Sequence, residues 1–335
     1  MGHGQLTTDH GQHTLFTRPE FQLDVAGRKV VMGARTLIMG VLNVTPDSFS
    51  DGGRYFDPIR AVERGVELIN QGADWIDVGG ESTSPGSQPV SAEEELRRVL
   101  PVIHSLRRKL KSVPISIDTT KAEVAEQALD IGADILNDIS GLRFDPRLAK
   151  IAHQRGSPLI LMHTRGKPEN MQRQPFTQDI WRSITRGLET SIRRALAAGV
   201  RRSQIVLDPG LGFGKSRRQN YEILGGLEKL RRFRLPFLIG ASRKSFVRAI
   251  VAGEDLNALP APRPGGRALS KAGKRGRESD RQHEPHPQNS TLLPTGDAAV
   301  VTAAILGGAH IVRVHDPAAI LPAVRVADAL LAAGR

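Results

Sequence analysis

A short apolar run, a polar residue and then a stretch with helical spacing recur eight times along this chain, and that alternation limits the fold more than any other feature. The apolar runs are 37–42, 75–78, 115–117, 135–136, 159–161, 205–207, 237–239 and 311–312. The amphipathic stretches are 60–70, 92–109, 121–130, 146–154, 180–198, 221–231, 297–306 and 317–333. The first run shows no polar alternation, as expected of a strand covered on both faces. Strict strand–helix alternation predicts a parallel sheet. Eight units predict a closed (β/α)8 barrel, the TIM barrel, over an open sheet.

A repeated frame supports this. Gly72-Ala73-Asp74-Trp75-Ile76-Asp77, Gly132-Ala133-Asp134-Ile135-Leu136-Asn137 and Gly308-Ala309-His310-Ile311-Val312-Arg313 share one pattern. A glycine ends a helix, an alanine packs closely, a strand follows and a polar residue closes it. In a barrel the strand C-termini share one face. Asn43, Asp77, Asp118, Asn137, His163, Asp208, Ser242 and Arg313 are therefore expected to form one ring at the end where such folds carry chemistry. Any one of them could be a helix N-cap instead, since Asp and Asn cap well. Eight in phase read as a site.

Outside the repeats, residues 1–18 are polar and read as a disordered tail. Residues 21–35 alternate weakly around Gly27-Arg28 and predict a β-hairpin covering one end of the core. Residues 19–335 are expected to form the barrel, interrupted by 255–293. In that interruption Pro, Gly and charge crowd together, and Leu269 is the only large apolar residue across 260–290. Such a composition cannot build a core and predicts a disordered insertion late in the barrel. Residues 260–290 hold seven Lys or Arg against three Asp or Glu, a third of the chain's net charge of +12. A basic balance points to an anionic partner, either nucleic acid or a phosphorylated small molecule. Much of the remaining charge lies on helix faces, so nucleic acid is not the expected partner. The absence of cysteine excludes disulfides and thiolate metal sites. No apolar run approaches the roughly 20 residues of a membrane span, so no membrane association is expected and the cytoplasm is the default compartment.

Four stretches carry chemistry. Residues 36–53 pass from a buried run into a loop crowded with Asn43, Thr45, Asp47, Ser48, Ser50 and Asp51, broken by Pro46 and Gly52-Gly53. Residues 206–216 resemble a phosphate-binding P-loop, but Pro209 stands where its first glycine must be. The better reading is a strand, Asp208 and a glycine-rich loop approaching a flat ligand, with Phe213 free to stack. A buried carboxylate matches a cyclic guanidine-like edge by two parallel hydrogen bonds. With Asp118 and Asn137 the set suits a pterin or a guanine-like ring. Gly240-Ala241-Ser242-Arg243-Lys244-Ser245 follows the seventh strand and Arg313-Val314-His315-Asp316 the eighth, which is the usual phosphate site of this architecture. Lys244, Arg313 and His315 supply positive or donor groups there.

These stretches, together with Gly80-Glu81-Ser82-Thr83, Asp118-Thr119 and Asn137-Asp138, resemble the bacterial dihydropteroate synthase family in motif and order, over about 36–253 and 295 to the end. The resemblance implies a transferase that joins 6-hydroxymethyl-7,8-dihydropterin diphosphate to p-aminobenzoate, giving 7,8-dihydropteroate and diphosphate, a step of folate synthesis inhibited by sulfonamides. It implies that the pterin lies against Asp118, Asn137, Asp208, Gly240 and Lys244, with Met162 and Phe213 packed on it. Asn43 would hold Mg2+ on the diphosphate, with Arg313 and His315 on its oxygens. The aminobenzoate would touch Phe49, Thr83, Pro85 and Ser242. Asp118, Lys244, Arg313 and His315 are the implied catalytic residues, and a homodimer is the implied assembly. One departure stands out: the family's Glu-Ser-Thr-Arg-Pro-Gly is here Glu81-Ser82-Thr83-Ser84-Pro85-Gly86, so the loop lacks a cation. Two other readings compete. A methyltetrahydrofolate-dependent corrinoid methyltransferase shares the pterin barrel but needs neither the 43–53 loop nor the phosphate-binding cations. A catalytically lapsed barrel would bind acidic partners through 260–290.

Overall fold

The computed structural model of the chain describes residues 18–45, 57–84, 86–171, 176–240, 242–257 and 287–334. Every apolar run becomes a strand. After a hairpin of β1 (Phe21–Val25) and β2 (Arg28–Met32) come β3 (Leu37–Asn43), β4 (Trp75–Gly79), β5 (Ile115–Asp118), β6 (Ile135–Asp138), β7 (Leu159–Met162), β8 (Ile205–Asp208), β9 (Leu238–Ile239) and β10 (Ile311–Val314). The helices between them are α1 (Pro58–Asn70), α2 (Ala92–Lys109), α3 (Ala122–Asp130), α4 (Arg147–Arg155), α5 (Ile180–Ala197), α6 (Arg217–Leu224), α7 (Ser245–Val251) and α8 (Pro287–Leu306), with α9 (Pro317–Ala333) last. Strands β3 to β8 pair in chain order, and β10 lies between β3 and β9. A parallel bridge from Leu207 to Phe237 brings β9 to β8 and completes the barrel. Among the described residues no helix is long and apolar enough to cross a membrane.

The core has two shells, and strand parity separates them. Ile38, Leu42, Ile76, Val78, Ile115, Ile117, Leu136, Leu159, Leu161, Ile205, Leu207 and Val312 pack outward in the same cluster as the helices' buried residues. The alternate positions Leu37, Met39, Trp75, Ile135, Ile160, Val206, Leu238 and Ile311 form a second cluster with Leu23, Val25 and Met32 of the hairpin. The hairpin therefore plugs the N-terminal end of the barrel. Its two-residue turn, Ala26-Gly27, has φ of 51° and 75°, the left-handed pair that matches strand twist.

The repeated frame acts as a clip. Ala73, Ala133 and Ala309 donate to Leu68, Ala128 and Ala304 at the helix ends, at 3.0, 2.9 and 3.0 Å. The third residue then caps the neighbouring strand: Asp74 Oδ2 accepts from the Ile38 N–H at 2.8 Å, Asp134 Oδ2 from Ile115 at 2.9 Å, and His310 Nδ1 from Phe237 at 3.3 Å. Each returns its own N–H to the carbonyl of the same residue.

Three boundaries differ from the sequence reading. The stretch 221–231 is not one helix: α6 stops at Leu224 and a 3-10 turn spans Leu227–Phe233. Gly226 lies against the Trp181 indole, where a Cβ would stand 3.0 Å from Nε1 and press on the ring. Helix α8 begins at Pro287, inside the 255–293 segment; residues 258–286 of that segment lie outside the described residues. Residues 1–17 also lie outside them, but Arg18, assigned to the tail, is built into the barrel floor. Its guanidinium donates to Thr36 Oγ1 (2.6 Å), Ala309 O (3.0 Å) and Asp328 Oδ1 (2.9 Å).

Candidate active site

The same parity decides which side chains meet at the other end. Two residues beyond each inward core position stands a site residue: Asp77 after Trp75, Asn137 after Ile135, Met162 after Ile160, Asp208 after Val206, Gly240 after Leu238 and Arg313 after Ile311, with Asp118 two beyond buried Ser116. Arg313 ties the ring together. Its Nε donates to Asp77 Oδ2 at 2.6 Å and its Nη2 to Asp118 Oδ2 at 2.8 Å, while Asn137 Nδ2 donates to Asp77 Oδ2 at 3.0 Å. Asp208 Oδ1 accepts from the Gly210 N–H at 2.7 Å. Lys244 places Nζ 4.2 Å from the centroid of the Phe213 ring. Phe213, Met162, Ile139 and Met171 form an apolar wall.

Charges of both signs are buried together in this basin. Asp77, Asp118 and Asp208 face Arg313 and Lys244, and Lys215 also acts on Asp208. Burial pushes Asp118 up to about 7, with Arg313 opposing and Asp77 adding to the rise. Burial pushes Asp208 up to about 6 against the Gly210 N–H and Lys244. Burial, reinforced by Arg313, brings Lys244 down to about 8. Among the described residues the buried Asp77 Oδ1 has no hydrogen-bond partner. A ligand edge rich in N–H donors would satisfy it.

The β9 and β10 loops meet beside this basin. Ser242 Oγ donates to Asp297 Oδ2 on α8 at 3.0 Å and accepts from the His315 N–H at 3.3 Å. The backbone N–H of Arg243, held at φ 58°, also donates to Asp297, at 2.9 Å. His315 Nδ1 stands 3.3 Å from Ser242 Oγ. Burial, with Arg313 and Arg243 adding to it, pushes His315 down to about 3 in the free protein. Asn43 ends β3 exposed, with its Oδ1 and Asp118 Oδ2 both flanking Gly79, 3.8 Å from where a Cβ would stand. An exposed amide oxygen beside a carboxylate fits Mg2+, a hard cation that takes few protein ligands and binds largely through phosphate oxygens.

The loop after β4 leans across the barrel mouth. Its Gly86 N–H donates to the Pro168 carbonyl at 2.9 Å, and Ser87 Oγ donates to Ser82 O at 2.5 Å. Beneath it lies a cavity of about 570 Å3 lined by residues that include Thr83, Asp118, Ile139, Arg143 and Lys167. Ser84 is exposed. Phe49 and Pro85, two of the implied aminobenzoate contacts, lie outside the described residues.

One ring assignment changes. His163 follows the inward Met162 and so has outward parity; its Nε2 meets Ser183 Oγ of α5 at 3.2 Å, and it is not in the basin. Asp138 has the same outward parity and caps its own loop, accepting from Ser140 N–H at 2.8 Å. Asp77 belongs to the site more deeply than the sequence motifs suggested, since it holds both Arg313 and Asn137. Two buried charges also gained no role from the sequence. Lys215 donates to the carbonyls of His163, Gly210 and Phe213 at 3.1, 2.7 and 3.1 Å and so fixes the glycine-rich loop. Glu95 looks like part of an exposed acidic run, yet its spacing to Val99, Val102 and Leu106 is that of the apolar face of α2, and it is fully buried.

Comparison with known proteins agrees with this geometry. The family described as pterin binding enzyme matches residues 39–315. A dihydropteroate synthase from Synechocystis sp. is 41% identical over 298 residues, covering 89% of this chain and 91% of that protein. The structure of the Yersinia pestis dihydropteroate synthase in complex with a sulfonamide drug has a TM-score of 0.76 at 35% identity, covering 93% of this chain and 100% of that one. The Xanthomonas albilineans dihydropteroate synthase, solved with 4-aminobenzoic acid, has a TM-score of 0.76 at 35% identity, covering 94% and 99%. With the match running from the first barrel strand to the last, through every strand end that contributes to the basin, the chain belongs to the dihydropteroate synthase family of pterin-binding enzymes.

Proposed function

We propose that this chain condenses 6-hydroxymethyl-7,8-dihydropterin diphosphate with p-aminobenzoate in the basin around Arg313. The observation that carries the assignment of roles is the Asp77–Arg313–Asp118 triad with Asn137 and Asp208 beside it. It offers carboxylate and amide acceptors for the pterin's amino and ring N–H groups deep in the barrel, and cations nearer the mouth. Phe213 and Met162 cover the ring faces, and Lys244 reaches over Phe213 toward the same space.

The bond from the pterin methylene carbon to the diphosphate oxygen breaks, and the diphosphate leaves with the electron pair. Arg313 and Lys244 stabilise the charge that develops on it, with His315 beside them on its oxygens. Electron release from the reduced pterin stabilises the positive charge left on the methylene. The aminobenzoate nitrogen then forms the C–N bond and loses its extra proton to the departing diphosphate or to water. A neutral arylamine needs orientation more than a strong base. That task falls to Thr83, Ser242 and the loops around them. Mg2+, held by Asn43, would neutralise diphosphate oxygens. A homodimer, which rests on the family resemblance, and a cytoplasmic location, the default from the sequence, complete the proposal; a mass measurement in solution tests the first.

The experiment is diphosphate release from the dihydropterin diphosphate with Mg2+, with and without p-aminobenzoate. Release coupled to dihydropteroate formation is expected. Tight pterin binding with no release and no product would sink the catalytic reading and leave a lapsed barrel.

A further inference from the structure

We propose that Lys121 is a positioning residue for this reaction, fixing through Glu81 where Ser82 and Thr83 stand over Asp118. Lys121 lies three residues beyond Asp118, at the N-terminal end of α3. Its backbone is tied to the end of β5, since its N–H donates to Thr119 Oγ1 at 3.2 Å and the Thr119 N–H donates to Asn137 O at 3.1 Å. Its ammonium contacts two carboxylates: Glu81, at the root of the loop after β4, and Glu95 Oε2 of α2 at 2.5 Å. Glu95 is fully buried, and Lys121 is the largest opposing influence on its charge, with the Thr119 hydroxyl a smaller one.

The surroundings leave the loop root little other freedom. Arg98 Nη1 donates to Gly80 O at 2.8 Å, and a Cβ at Gly80 would stand 2.7 Å from Val99 Cγ1. Gly79, just before it, pairs with Asn43 on one side and Asp118 on the other, and its carbonyl accepts from the Val44 N–H at 2.8 Å. Lys121 thus joins three elements at one point, and Glu81, Glu95, Thr83 and Asp118 all line the cavity beneath the loop. Without its charge, Glu81 and a buried Glu95 would face each other unneutralised, and the less buried Glu81 would swing away with Ser82 and Thr83. This proposal rests on the synthase reading, because it concerns the second substrate of that reaction.

The test compares Lys121→Met, Lys121→Arg and Glu81→Gln with wild type. A misplacement of ~1 Å costs on the order of 100-fold in rate. For Lys121→Met and Glu81→Gln we expect KM for p-aminobenzoate to rise by about tenfold or more and kcat to fall, with the Kd for the pterin diphosphate changed by less than about threefold. Lys121→Arg, which can still reach both carboxylates, should restore most of the loss. A p-aminobenzoate KM within about twofold of wild type in Lys121→Met overturns the proposal. So does an equal loss at both substrates that Arg fails to restore. If Lys121→Met does not fold, Glu81→Gln decides alone, since Glu81 keeps some contact with solvent and Gln keeps its shape. Wild-type chain that forms no dihydropteroate overturns the synthase reading instead; backbone hydrogen exchange over 79–84, faster in Lys121→Met or not, still judges the contact.

Discussion

At the residue scale, the site depends on which charges the barrel keeps from water. Asp208 lies near 6 because burial disfavours its charge, and a pterin edge donating to it favours the ionised form. Below about pH 6 the free protein holds a proton there that the ligand must displace. Pterin affinity should therefore fall by roughly tenfold per pH unit below 6, with Asp118, near 7, adding to the fall, and level off above pH 7. Calorimetry at pH 5.5 and 8 in buffers of different ionisation enthalpy reads both the affinity and the released proton. An affinity flat across that range would mean that Asp208 does not pair with the ligand in its charged form. Ser84 gives a second prediction. It is exposed on the loop over the basin, where a new cation would be solvent-screened and worth about 0.2–1 kcal/mol. Ser84→Arg should lower KM for the pterin diphosphate by roughly two- to fivefold at low salt, with the gain lost at high salt. An unchanged KM at low salt would show that the loop stands too far from the diphosphate. Most of these residues were legible because each ends an apolar run. His163 was misplaced because its strand is one residue longer than its apolar run, and a one-residue step reverses the face.

At the scale of elements, the strands were legible because each is a buried apolar run bounded by turn residues. The helices were legible where their apolar face is complete. The break at Gly225-Gly226 was hidden because its cause lies on another element, in the Trp181 ring of α5. The α8 start was hidden because Pro294 and a polar first half argue against a helix there. The clips between frames were visible as a pattern, but their purpose emerged only from pairing. Asp134 shows what they do: it accepts the Ile115 N–H that opens β5, and it also pairs with Arg107 at the end of α2. Asp134→Ala would leave that N–H without a partner and Arg107 without its carboxylate, at a cost of about 2–4 kcal/mol. Urea unfolding should show this loss, with the pterin Kd nearly unchanged because β5 starts at the floor and Asp118 ends it at the mouth. A loss of less than about 0.5 kcal/mol would mean that water replaces the clip.

At the scale of the whole molecule, the barrel separates stability from chemistry by its two ends. The hairpin and the first inward layer make an apolar floor, closed by Arg18, Thr36 and Asp328. The second inward layer makes the charged basin. His310 belongs to the floor: its Nδ1 accepts from the Phe237 N–H, its Nε2 meets Pro19 O at 3.0 Å, and Phe21 and Phe237 pack edge-on against its ring. These partners require a neutral imidazole with its proton on Nε2. Burial pushes it down to about 4, opposed by Pro19 O and reinforced by Arg18. The unfolded chain, near 6.5, binds the proton first, so this contribution is complete above pH 6.5 and is lost as pH falls from 6.5 through 4. It amounts to on the order of 3 kcal/mol over that window. Urea midpoints for wild type and His310→Gln at pH 7.5, 6 and 5 isolate it, because other buried histidines such as His163 and His315 titrate alike in both. Wild type should lose more stability than the variant on acidification, and both should keep the same KM for p-aminobenzoate at pH 7.5, since the floor lies a full layer of side chains below the basin. Parallel pH profiles would show that His310 is protonated in the folded chain and that some other group closes the floor.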